Sequence, residues 1–131
     1  MARRGRQPHK TRFKKSQATE KRIAKELGGR ALPRSGGLPW DSKGWDPNRR
    51  TAEGDLTTDD FLIEHKRIEP QVGSIGVKRQ WLQKVTSGAK RLGKYPAMVV
   101  TFEGATEMEQ DWALIPMSLM KRLVGKLQTE E

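Results

Sequence analysis

The sequence contains no cysteine, which excludes a disulfide scaffold, a thiol nucleophile and a thiolate zinc site. Histidine is almost as scarce, with only His9 and His65, so a histidine-rich metal centre is excluded as well. No apolar run approaches the roughly 20 residues needed to cross a bilayer. The basic N-terminal stretch is not followed by the apolar segment of a secretory signal. These absences point to a protein that acts in the cytoplasm and does not engage a membrane. Hydrophobic residues make up 34% of the 131 positions, enough for one modest core and one domain.

Positive charge is what the chain has in excess. Lysine and arginine number 26 against 16 aspartates and glutamates, a formal net charge of +10. Such an imbalance attracts polyanions, and nucleic acid is the simplest partner because distributed basic side chains neutralise phosphates. A membrane surface fits less well, since the basic start from Arg3 to Lys15 has almost no apolar anchor. Charge alone carries no catalytic implication.

Residues 1–16 are expected to form a flexible basic arm, and 17–131 a single domain. Ser16 is a candidate cap for a first helix whose apolar positions are Ala18, Ile23, Ala24 and Leu27, stopped by Gly28-Gly29. Arg30-Ala31-Leu32 begins a short strand. The stretch from 35 to 53 is rich in glycine, proline and polar residues and predicts a long irregular loop. Trp40 and Trp45 within it are suited to packing the loop, bridging two protomers or stacking on bases.

Alternation in Asp60–Lys66 predicts a strand with Phe61, Ile63 and His65 on one face and Leu62, Glu64 and Lys66 on the other. A helix is expected over 74–92, with Trp81, Leu82, Val85, Ala89 and Leu92 as its buried stripe and Gly93 as its stop. Residues 96–102 form the clearest buried strand, with Pro96 tolerated at its beginning. Residues 111–115 predict a further strand, and 117–127 a last helix carrying Leu119, Met120, Leu123, Val124 and Leu127. This order predicts an α/β fold in which helices flank a mixed sheet.

Gly54-Asp55 and Ile63-Glu64-His65-Lys66 carry the strongest chemistry. If Asp55 and Glu64 come from neighbouring strands, their carboxylates can share one or two hard divalent cations, with Mg²⁺ expected and Mn²⁺ as a substitute. The backbone carbonyl of His65 can add another oxygen. Lys66 can orient a water or stabilise charge developing on a phosphate. Taken alone, a Glu-x-Lys pair is more often a solvated salt bridge, and Asp55 after glycine is equally a turn residue. Glu20 alone would be an exposed helix charge. Asp41, Asp46, Asp59 and Asp60 fit turn, capping or charge-balancing roles, Glu69 a loop or solvent position, and His9 the basic arm.

Taken in order, ATEKRIAKELGGR, RSGG, GD, IEHK, a basic helix and PAMVVTF form a composite over roughly residues 17–116. This composite resembles the archaeal and phage Holliday-junction resolvases of the PD-(D/E)XK nuclease superfamily. The resemblance implies a restriction-endonuclease-like mixed sheet flanked by helices. It assigns metal binding to Glu20, Asp55 and Glu64 and support of hydrolysis to Lys66. Ser35 corresponds to a small hydroxyl residue that contacts phosphate, and Ser74 to the polar segment after the lysine. Two departures stand out: 18 residues separate Gly36 from Asp55, and Gly54 stands where the superfamily carries proline.

The implied activity is metal-dependent hydrolysis of DNA phosphodiesters at four-way junctions, leaving a 5′-phosphate and a 3′-hydroxyl. Paired cuts imply a homodimer; a phage-encoded chain would act in the host cytoplasm. DNA contacts are expected from Arg4, Arg6, Lys14, Lys15, Arg34, Ser35, Arg49, Arg50, Ser74, Lys78 and Arg79. Another structure-selective or site-specific endonuclease, or a non-catalytic basic DNA-binding protein, would use the same surface.

Overall fold

The computed structural model describes residues 9–32 and 55–129. Helix α1 (His9–Glu26) leads into two short strands, β1 (Arg30–Ala31) and β2 (Leu56–Thr57), and then into β3 (Phe61–Ile68). Helix α2 (Arg79–Leu92) connects β3 to β4 (Tyr95–Phe102), and β5 (Asp111–Leu114) precedes α3 (Met117–Thr129). The five strands form one mixed sheet in the order β1-β2-β3-β4-β5. All neighbours are antiparallel except β3 and β4, which run parallel over eight residue pairs from Phe61↔Tyr95 to Ile68↔Phe102. A parallel pair needs a long crossover, and α2 supplies it.

Alternation along β3 and β4 sorts the core into two layers. Ile63, Ala97 and Val99 pack with Leu56 against Ile23 and Ala24 of α1. On the other face Leu62 packs against Val85 and Ala89 of α2, while Ile68, Met98 and Val100 receive Ile75, Trp81 and Leu82. Pro96 is accommodated as expected: β5 pairs with β4 only from Met98 to Thr101, so Pro96 has a strand partner on one side alone.

Helix α1 stops where the double glycine predicts. Gly28 adopts φ +72°, and its N–H donates to the Lys25 carbonyl while that of Gly29 donates to the Ala24 carbonyl. This left-handed cap satisfies carbonyls at the helix end. Gly29 also brings its backbone against β2, where an added Cβ would lie 2.1 Å from the Thr57 carbonyl oxygen. Helix α2 ends in the same kind of cap at Gly93.

Several boundaries differ from the sequence expectation. Helix α1 begins at His9, so Ser16 lies inside it and residues 9–16 are helical rather than a flexible arm. No glycine or proline interrupts 9–27, and Lys, Arg and Gln are good helix formers. Helix α2 begins at Arg79, not near residue 74, because Gly73 and Gly76 disfavour an earlier start. Ala18, Leu27 and Leu92 are exposed. Within α1 the inward positions are Glu20, Ile23 and Ala24.

Helix α3 covers the expected residues but buries only Leu119. Met117, Met120, Leu123, Val124 and Leu127 remain exposed, as do Trp112 and Leu114 of β5. Arg122 ties α3 to the sheet by donating to the Tyr95 hydroxyl at 2.7 Å. The predicted loop over 35–53, with Trp40 and Trp45, lies outside the described residues.

Leu62 is fully buried between β3 and α2. Leu62→Ala is expected to destabilise the fold by about 2–5 kcal/mol, the usual range for a leucine-sized core deletion. Urea unfolding checks this, and a loss below about 1 kcal/mol would show that the α2 layer does not depend on Leu62.

Candidate active site

Asp55 is placed by the short β2–β3 hairpin. Register pairs Leu56 with Ile63 and Thr57 with Leu62, which brings Asp55 level with Glu64. The Thr58 hydroxyl accepts from the N–H groups of Asp60 and Phe61 and holds the turn. Asp59 and Asp60 are exposed there, in keeping with turn positions. The Asp55 N–H donates to the Ile63 carbonyl, and its Oδ2 accepts from the His65 N–H at 2.8 Å. Beyond Ile63 β2 no longer pairs with β3, so the aspartate side chain takes over a strand partner's role.

Glu64 and Lys66 share the α2 face of β3, and their charged ends meet at 3.1 Å. Glu64 is 7% exposed. Burial, and then the negative charge of Asp55, push its carboxyl above the ordinary carboxylate range, against the opposing pull of Lys66 and Lys84. Lys66 Nζ also sits 4.2 Å from the centre of the Trp81 ring, which Lys78 Nζ approaches at 5.5 Å. Trp81 and Lys84 therefore belong to the surroundings of the acid pair. The sequence marked them only as a buried-stripe residue and a surface charge; their approach to Glu64 and Lys66 requires the packing of α2 on the sheet.

Glu20 lies elsewhere. It is buried on α1, with Oε2 3.8 Å from Nδ1 of His65. That imidazole points to the face opposite Glu64 and Lys66. Among the described residues, no three acidic or histidine side chains are grouped as metal ligands, so Glu20 does not complete a trio with Asp55 and Glu64. The exposed-helix expectation for an isolated Glu20 is not met, because α1 turns it inward. Glu69 lies in the loop after β3, one of its two expected positions, but is largely buried rather than solvated and accepts from Gln71 Nε2 at 2.6 Å.

The opposite face holds a polar chain that sequence patterning did not reveal. His65 Nε2 lies 3.0 Å from Thr101 Oγ1, and that hydroxyl donates to Asp111 Oδ1 at 2.6 Å. Arg22 of α1 donates to both carboxylate oxygens of Asp111 at 3.0 Å. The Arg22 hydrogen bonds hold the Asp111 carboxyl below its ordinary range, against partial burial. These residues come from four elements, β3, β4, β5 and α1, so spacing offered no signal for them.

Of the expected DNA contacts, Lys14, Lys15, Ser74, Lys78 and Arg79 are exposed. Ser74 lies in the irregular segment before α2, while Lys78 immediately precedes the helix. Arg4, Arg6, Arg34, Ser35, Arg49 and Arg50 lie outside the described residues. No described helix is long and apolar enough to cross a membrane. Comparison with protein-family models, curated proteins and solved structures finds no match.

The two acids have opposite pH signatures. A carboxyl raised by folding destabilises the fold when ionised; the penalty is absent below the ordinary carboxylate range and complete above the raised folded value. Without divalent cations, Glu64→Gln is expected to exceed the wild type in stability at neutral pH, with the gain shrinking on acidification through that window. Urea unfolding at a series of pH values checks the sign, and a gain that grows on acidification overturns it.

A carboxyl lowered by folding contributes stability that is present above its ordinary value and lost as pH falls through its folded value. Asp111→Asn is therefore expected to lower stability at neutral pH and flatten the loss in acid. Thermal melts of the two proteins at neutral and acid pH should converge at the acid end; parallel curves would remove Asp111 from the acid response.

Proposed function

We propose that this chain is a Mg²⁺-dependent endonuclease acting on branched DNA, with the four-way junction as its leading substrate. The observation that carries this reading is the Asp55–Glu64 pair with Lys66 beside it. Two carboxylates lie close enough for one charge to oppose ionisation of the other, and an amine stands 3.1 Å from the second. A hard cation would relieve that repulsion, so the donor chemistry fits Mg²⁺, or Mn²⁺ in its place. Asp55 and Glu64 would hold the ion, with Glu20 joining only if its carboxylate leaves His65.

A bound divalent cation supplies Lewis-acid polarisation of the scissile phosphate. Lys66 would stabilise the charge that develops on the phosphate or orient the attacking water. Trp81 holds the Lys66 amine on the site side of α2 through the face of its ring. Exposed Lys78, just before the helix, and Arg79, Lys84, Lys90 and Arg91 along it suit phosphate contacts that follow the shape of a junction.

The restriction-endonuclease-like assignment draws support from the order of elements: a helix, an antiparallel hairpin with Asp55 just before one strand and Glu64 on the other, a crossover helix and a parallel neighbour. The resolvase assignment rests further on the composite of sequence segments. Two-fold symmetry would place two sites for paired cuts, and the exposed apolar residues of α3 and β5 support a homodimer. Action in the cytoplasm belongs to the same proposal.

Cleavage of four-way junction, flap and linear DNA, with and without Mg²⁺, tests the activity. Wild type is expected to cut the junction only with metal, and Asp55→Ala and Glu64→Ala to lose about 100-fold or more. Preferred cutting of flap or linear DNA would reassign the substrate. Junction binding without cutting under any divalent metal would favour a non-catalytic DNA-binding protein, and unchanged cutting by either variant would overturn the assigned site.

A further inference from the structure

We propose that His65 is a positioning residue, whose buried side chain anchors the backbone N–H that holds Asp55 beside Glu64. This inference deepens the nuclease reading and rests on it for its functional meaning. The geometry has two halves that meet in one residue. Toward β2, the His65 N–H donates to Asp55 Oδ2 at 2.8 Å, at a point where the β2–β3 ladder has already ended. Toward α1, the imidazole is 4% exposed and reaches Thr101 with Nε2.

The direction of each hydrogen bond follows from the partners. Thr101 has one hydroxyl proton and donates it to Asp111, a carboxyl that Arg22 holds ionised at neutral pH. Toward His65 the hydroxyl oxygen can then only accept, which assigns a proton to Nε2. The imidazole is thereby fixed as a donor in a chain running from β3 through β4 and β5 to α1. Glu20 closes the pocket on the other ring edge, with Oε2 3.8 Å from Nδ1.

A histidine that merely filled the core would have no consequence on the opposite face. Here β4 holds one edge of β3, and the ring tethers the one residue between Glu64 and Lys66 whose N–H faces the other edge, beyond the β2 pairing. Loss of that tether would let the His65 N–H tilt away from Asp55 on the edge that β2 does not restrain. Asp55 would then lose its hydrogen-bond partner and its alignment with Glu64. Partners that orient metal ligands at one remove commonly change metal affinity by about 10–100-fold.

The test uses Thr101→Val, which removes the acceptor without touching Asp55, Glu64, Lys66 or His65, and Thr101→Ser, which restores a hydroxyl. The amide resonance of residue 65 in ¹H–¹⁵N spectra reports the hydrogen bond to Asp55, with Asp55→Ala marking its loss. Thr101→Val is expected to move that resonance toward the Asp55→Ala position and weaken Mn²⁺ binding by about 10-fold, with Thr101→Ser returning both toward wild type. Should the valine prevent folding, Thr101→Ala removes the same hydroxyl without a second methyl group. An unmoved amide resonance in a folded Thr101 variant overturns the positioning role, whatever happens to stability. Absence of Mn²⁺ binding and of DNA cleavage in the wild type would instead defeat the nuclease reading, while the amide resonance still decides the anchoring by itself.

Discussion

The pairing of β3 with β4 is the constraint on which the rest of the molecule depends. Eight consecutive residues of each strand lie in parallel register, and both faces of the pair are covered. Once that register is set, every side chain of β3 is committed to one layer or the other. Glu64 and Lys66 must face α2, and His65 must face α1. The acid pair and the histidine chain are two consequences of one alternation.

The two faces handle buried charge differently. On the α1 side Asp111 meets a bidentate arginine and a hydroxyl, so its ionised form is favoured. On the α2 side Glu64 is buried beside another carboxylate, and its lysine neighbours do not offset the two effects together. Stability alone would not favour such a pair; a bound cation would change the balance. Burial and carboxylate repulsion at Glu64 are what a cation would relieve under the proposed reading.

Much of the fold was legible in local sequence. Gly28-Gly29 and Gly93 marked helix ends because a left-handed cap is a short-range requirement, and the apolar runs of β3 and β4 marked strands because both faces are buried. Starts were harder. Ser16 looked like a cap, yet a helix runs through it, and the helix expected from 74 begins at Arg79. Exposure of the α3 stripe was not legible either, since amphipathic spacing says that a face wants cover without saying what lies against it.

Sequence by itself determined that Glu64 and Lys66 share a face and that His65 opposes them, because the two-residue period of a strand is a local property. It left Asp55 either on a neighbouring short strand or at its turn, and the structure sets it immediately before β2. Tertiary structure decided which distant groups meet these residues. It brought Trp81 and Lys84 to the acid pair, turned Glu20 inward against His65, and joined Thr101, Asp111 and Arg22 into one chain. Those contacts depend on register between strands and on how each helix rolls against the sheet, and neither is written in the spacing of any single segment.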